Sequence, residues 1–199
     1  MTELPTTRHL SRPARQRALG ALLGSAVADA LGAPFEFGSA GAYRATFPEP
    51  VVGGTGEMTG GGSFGWSAGE FTDDTQMALA LAESIITLRR IDPADLWTRW
   101  RAWATHASDV GVITRRALSH ATHDDAAADA HRELGRSAGN GALMRVTPVG
   151  LAGAVLDDTG ATTITMRAAV AQAALTHHEP AAGWGAGIAA ELSRRAVPG

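Results

Sequence analysis

The chain has 199 residues, 45% hydrophobic and 19% charged, with a formal net charge of −3. Such a composition supports one globular domain with a sizeable core and gives no basic field for nucleic acid. There is no Cys and all 17 basic residues are Arg, which excludes disulfides, thiolate zinc sites, thiol nucleophiles, Schiff bases and a phosphate-binding Lys.

Residues 1–12 read as a polar tail with no signal-peptide stretch, and residues 13–199 as one helical domain without internal repeat or linker. No apolar run is expected to reach the roughly 20 residues of a membrane span, so no membrane contact is expected, and a cytoplasmic protein is the default. The first helix is expected from Pro13 to about Leu31, started by Ser11 and stopped by Gly32 and Pro34. Leu19, Leu22, Leu23, Ala26, Val27, Ala30 and Leu31 form its apolar stripe, and Gly20, Gly24 and Ala28 a ridge of small residues, which together predict a central helix. Residues 33–70 read as mostly loop, with glycines crowded between Gly53 and Gly69; loops of this length are usually functional or disordered.

A second helix is expected from Thr72 to about Arg90, with Met77, Leu81, Ile85 and Leu88 inward. Asp92-Pro93 starts a third, carrying Trp97, Trp100 and Ala104 on one face. Asp109 reads as the cap of a fourth, running through Leu118, and a short fifth spans Asp124 to Leu134. Gly139-Asn140-Gly141 reads as a turn before an apolar segment interrupted by Pro148. Ile164, Ala168, Ala171 and Leu175 mark another helix, and Pro180 opens a last one with Trp184, Ile188 and Leu192 inward. Strand patterns are nearly absent, so the expected class is all-α, a compact set of packed helices.

The most informative stretch is Thr72-Asp73-Asp74-Thr75. Helix capping alone would favour these residues. Adjacent carboxylates also repel unless a cation or donors lie between them, and a carboxylate–hydroxyl set suits Mg²⁺ or Mn²⁺. Asp29 falls in the last turn of an apolar helix, where the dipole disfavours it; it either faces solvent or has a donor or a cation as partner. Glu36, between Phe35 and Phe37, is either a surface acid or points into a site away from its aromatic neighbours. Gly139-Asn140-Gly141 is either a plain turn or a place where backbone amides face a phosphate. His120, His123 and Asp124 read as a solvated helix end, since no further ligands assemble around them into a metal site.

Taken together, these segments resemble the ADP-ribosylglycohydrolase family. The matching pieces are residues 20–37, Trp66 to Gly69 leading into Phe71-Thr72-Asp73-Asp74-Thr75-Gln76-Met77, Asp109-Val110-Gly111, Gly139 to Arg145 with Pro148, and Thr176-His177, in family order. Ala28 departs from the Gly usual before the Asp. The resemblance implies an all-α fold and two Mg²⁺ or Mn²⁺ ions. It implies Thr72, Asp73 and Asp74 as metal ligands, Asp73 and Glu36 as catalytic groups, with Glu36 positioning or activating the attacking water, and Asp29 in support. Gly139, Asn140, Gly141, Ala142 and Met144 would line an ADP-ribose site, and His177 would contact the ligand. The implied reaction is hydrolysis of the N- or O-glycosidic bond between ADP-ribose and a protein side chain or small adduct.

The family's C-terminal Asp-x-Asp-Thr segment has no counterpart after His177, where only Glu179 and Glu191 remain as acids. The chain is therefore expected to lack the family's last helices, to be inactive alone for want of half its metal site, and to expose apolar surface and self-associate. Two alternatives stand beside hydrolysis: a non-catalytic module binding ADP-ribose or a nucleotide, and a remnant without a ligand.

Overall fold

The computed structural model describes residues 8–49, 57–156 and 160–198. Residues 1–7 of the polar tail, Gly53, Gly54 and Gly56 of the glycine-rich loop, and Gly199 lie outside the described residues. Among the described residues there are nine α-helices and no strand, only an isolated bridge between Gly61 and Trp66. The all-α expectation holds.

Helix α1 (Arg12–Gly32) starts where expected, with the Ser11 hydroxyl accepting from the Ala14 amide at 3.3 Å. It is not central. Only Ala14 and Ala30 are buried, while Leu19, Leu23 and Val27 are about half exposed, at 57%, 57% and 48%. The small-residue ridge meets nothing either, since a Cβ placed on Gly20 or Gly24 would find no atom within 4 Å. Among the described residues nothing covers Leu19, Leu23 and Val27, while Ala30 of the same stripe is buried and Leu22, Ala26 and Leu31 are half-buried. Within Arg12–Phe35 an 18-residue stretch reaches a mean hydropathy of 1.4, so by length and composition this helix is apolar enough to cross a membrane, correcting the expectation that no run comes close. Its last turn nevertheless belongs to the fold, because Asp29 binds the next long helix.

After a 3₁₀ turn at Ala33–Phe35 comes the short α2 (Ala42–Thr46), inside the expected loop. Phe35, Tyr43 and Phe47 pack ring to ring here, with centroids 5.2 to 6.1 Å apart. The glycine loop then turns back on α1. Gly62 has φ +73°, and a Cβ there would lie 2.6 Å from the Pro34 carbonyl oxygen, so only glycine fits.

The core forms between α3 (Asp73–Leu88), α4 (Pro93–Ala104), α7 (Thr147–Ala154), α8 (Ala161–Ala173) and α9 (Pro180–Ala196). Met77 and Leu81 from α3 meet Leu96, Trp97 and Trp100 from α4, and Val149, Ala169, Ala173, Ala186 and Ala190 close the cluster. Helix α5 (Val112–Leu118) packs beside α4, and α6 (Ala126–Leu134) packs against α5. Asp109 does not cap α5: that position is Gly111, and Asp109 is buried in the site described below.

Helix α9 faces opposite to expectation. Its buried side is Ala182, Gly183, Ala186, Gly187, Ala190, Glu191 and Arg194, and Trp184, Ile188 and Leu192 point outward at 59%, 55% and 64% exposure. Small residues bring the backbones together. A Cβ on Gly150 of α7 would sit 2.6 Å from the Ala190 carbonyl oxygen, leaving no room for larger groups at that crossing. Helix α8 likewise buries Thr165, Ala169 and Gln172 and leaves Ile164 exposed.

Candidate functional site

The helix start at Asp73 is built around Asp29. Thr72 takes the N-cap position of α3 without capping through its own side chain. Instead the Asp29 carboxylate accepts from the amides of Thr72 and Thr75 at 2.9 and 3.1 Å, and from their hydroxyls at 2.7 and 2.6 Å. The charge at the unfavourable end of α1 is thus balanced by the favourable end of α3. Of the readings left open for Asp29, the structure supplies donors. The same bonds fix the direction in which Asp73 and Asp74 project.

Those two residues, with Glu36 and Asp109, line a cavity of about 770 Å³. Burial raises Asp73 to about 6, reinforced by the charges of Asp109 and Glu36, with a backbone hydrogen bond from Gly111 acting the other way. Burial raises Asp74 to about 7, with the charges of Asp29, Asp73 and Glu36 adding to it. Glu36 and Asp109 are raised as well, mainly by desolvation, and for Asp109 the Arg115 guanidinium opposes the shift. None of the four carboxylates has an ion-pair partner within 4 Å among the described residues. They form a cluster of carboxylates raising one another's pKa.

The cavity's other wall is the Gly139, Asn140, Gly141 and Met144 segment with His177. Its glycines are required for space. A Cβ on Gly141 would lie 2.9 Å from His177 Cε1 and 3.0 Å from Thr114 Oγ1, and one on Gly139 would lie 2.8 Å from Ile113 Cδ1. The turn is therefore more than a chain reversal: it lets the His177 imidazole and α5 pack directly against the glycines of this wall. Arg115 and Arg136, both exposed, add positive charge to the lining, and the exposed Phe37, with φ +63°, stands 6.2 Å from Phe64 in the same cavity.

The model of the ADP-ribosylglycohydrolase family matches residues 10–199. The chain belongs to the ADP-ribosylglycohydrolase family. It is 37% identical over 165 residues to the ADP-ribosyl-[dinitrogen reductase] glycohydrolase of Rhodospirillum rubrum, an alignment covering 82% of this chain and 52% of that protein. To the ADP-ribosylarginine hydrolase Tri1 of Serratia proteamaculans it is 34% identical, covering 68% of this chain and 36% of the relative. A solved structure titled ADP-ribosylglycohydrolase-related protein complex superposes with a TM-score of 0.67 at 33% identity, over 95% of this chain and 59% of that one. The chain spans about half the length, or less, of these two hydrolases and 59% of the solved chain.

Measured against that family, the expected residues separate. Glu36, Asp73, Asp74, Gly139, Asn140, Gly141, Met144 and His177 share one cavity. Thr72 is buried beneath it, its hydroxyl donated to Asp29, and Ala142 is in the core with its carbonyl accepting from Gln172 Nε2 at 2.9 Å. His120 and His123 stay apart, beside Asp129 and Asp124, and His123 lies against Trp97. Glu191 is held by Arg194 and Arg195 on α9. The acid cluster suits a hard divalent cation in donor type and in charge. No group of three His, Asp or Glu among the described residues is close enough to form a finished cage. Asp109 is the acid that helix-cap reasoning misplaced; its only sequence signal was the family's Asp109-Val110-Gly111 segment.

Proposed function

We propose that this cavity binds ADP-ribose, and that the chain serves the hydrolysis of the N- or O-glycosidic bond joining ADP-ribose to a protein side chain or a small adduct. The observation that carries the reading is the sharing of one cavity by the acid cluster and the Gly139–Gly141 wall. The activities for which the Rhodospirillum and Serratia relatives are named support the substrate class.

Asp73 and Asp74 would hold Mg²⁺ or Mn²⁺, with Glu36 and Asp109 beside them. Such an ion supplies Lewis-acid polarisation and lowers the pKa of bound water. The chain's own groups divide the remaining work. Glu36, exposed to the cavity and raised above its ordinary pKa, takes the proton of the attacking water. Negative charge around the anomeric carbon favours the oxocarbenium character that develops as the bond breaks. The backbone of residues 139–141, which its two glycines let pack closely on Ile113, Thr114 and His177, faces the diphosphate, and Arg115 and Arg136 offset its charge.

The test is release of ADP-ribose from an ADP-ribosylarginine protein in Mg²⁺ buffer. Release that disappears in Asp73→Asn supports the reading, and release unchanged by that substitution contradicts the mechanism. ADP-ribose binding that needs Mg²⁺ but brings no release would assign the chain to the non-catalytic binding module.

A further inference from the structure

We propose that Arg145 and Thr176 are positioning residues that lock His177 in its neutral, Nε2-protonated form, so that it offers a fixed hydrogen-bond donor to an acceptor oxygen of the ligand in the cavity. The proposal rests on reading the cavity as a ligand site.

The chain of donors begins in the core. Arg145 is fully buried, its guanidinium stacked 3.9 Å over the Trp100 ring. Its Nε donates to Gln172 Oε1 at 2.7 Å, and one terminal nitrogen donates to the Gln172 carbonyl at 3.0 Å and to Thr176 Oγ1 at 2.9 Å. No carboxylate pairs with it among the described residues. A buried guanidinium held only by neutral acceptors is expensive to keep, and an apolar residue of similar volume would usually serve packing better. Its directional donors are what an apolar substitute could not supply.

The tautomer follows from donor arithmetic. A guanidinium only donates, so Thr176 Oγ1 is the acceptor in that bond. Thr176 is fully buried, and its hydroxyl hydrogen needs an acceptor. The one acceptor available to it among the described residues is His177 Nδ1, at 2.8 Å. Nδ1 therefore carries a lone pair and Nε2 carries the hydrogen. Burial and the nearby Arg145 charge push His177 down to about 3, so the ring stays neutral.

Nε2 faces the glycine wall. A Cβ on Gly141 would lie 3.2 Å from Nε2 and one on Gly139 3.5 Å from it, so both glycines keep that edge clear. His177 lines the cavity, and Nε2 has no protein acceptor among the described residues. A pre-oriented, partnerless donor at a cavity wall is a ligand contact whose direction is set from behind.

The test reads the ring directly. In the ¹⁵N spectrum of the whole chain, His177 is assigned by the signal lost in His177→Gln. The expected spectrum shows Nδ1 unprotonated and Nε2 bearing the hydrogen. Thr176→Val should yield a mixture of tautomers and weaken ADP-ribose binding by about tenfold, the worth of one misdirected hydrogen bond. Thr176→Ser should restore both, which a purely structural Thr176 would not require. An Nδ1-protonated ring in the unsubstituted chain overturns the proposal, as does Thr176→Val that leaves spectrum and affinity unchanged. The expected spectrum in a chain that does not bind ADP-ribose supports the lock and counts instead against the ligand assigned to the cavity.

Discussion

Two acidic regions of this molecule have opposite environments. On α9, Glu191 accepts from Arg194 at 2.7 Å, Arg195 at 2.6 Å and the Thr162 hydroxyl at 2.9 Å, and is held down at about 2 chiefly by the Arg194 bond. At the start of α3, burial and then the charges of neighbouring acids raise Asp73 and Asp74 to about 6 and 7. The first region spends its charge on joining α8 to α9. The second keeps charge without a partner, which destabilises the fold and is the usual mark of a site awaiting a cation or a substrate. Among the described residues, the carboxylates raised above their ordinary range are the ones gathered at the cavity.

The contrast can be broken first at Glu191. Glu191→Ala removes the carboxylate shared by Arg194, Arg195 and Thr162 and should lower the unfolding free energy by about 3 kcal/mol in urea titration. A loss below about 1 kcal/mol would show that the α9 cluster is not the structural one. Next, Asp73→Asn should weaken Mg²⁺ binding about a hundredfold, near 2.7 kcal/mol, with little change in fold by circular dichroism. Smaller again, and opposite in sign, Asp74→Asn should stabilise the metal-free protein by about 1 kcal/mol, because it removes a repelled charge.

The subtlest difference is in pH dependence. In the folded chain Asp73 and Asp74 keep protons that the unfolded chain, near 3.8, has already lost. Their contribution favours folding at low pH and is lost as pH rises from about 4 through 7. Glu191 behaves inversely: its contribution is complete above its ordinary 4.5 and is lost as pH falls from there through about 2. Urea midpoints in metal-free buffer should therefore fall between about pH 5 and pH 8, and Asp74→Asn should flatten that fall.

What the sequence made legible was local. Ser11, Asp92-Pro93 and Pro180 announce helix starts through signals that act within one turn, and each helix begins there. Helix faces were less legible. On α9 the large residues Trp184, Ile188 and Leu192 and the small residues Ala182, Ala186 and Ala190 share the same spacing, and only the close approach of α7 and α8 decides that the small side turns inward. On α1 periodicity marks an apolar stripe correctly but says nothing of what covers it.

The site divides in the same way. Thr72-Asp73-Asp74-Thr75 stands out as a motif, yet the partner that orients it, Asp29, lies 43 residues from Thr72 and 46 from Thr75. Asp109 looked like a cap because an acid shortly before a helix usually is one. Arg145 and Thr176 gave no sign of their link, since a bond across 31 residues has no local signature.

On the proposed reading, the α3 acid cluster is a divalent-cation site in an ADP-ribose cavity. Calorimetric titration of Mg²⁺ into the metal-free chain at about pH 6.5, with and without ADP-ribose, tests it most directly. Binding accompanied by proton release from Asp73 and Asp74, tighter with ADP-ribose present and absent in Asp73→Asn, is the predicted result. No heat of Mg²⁺ binding in either condition, or equal binding by Asp73→Asn, would contradict it.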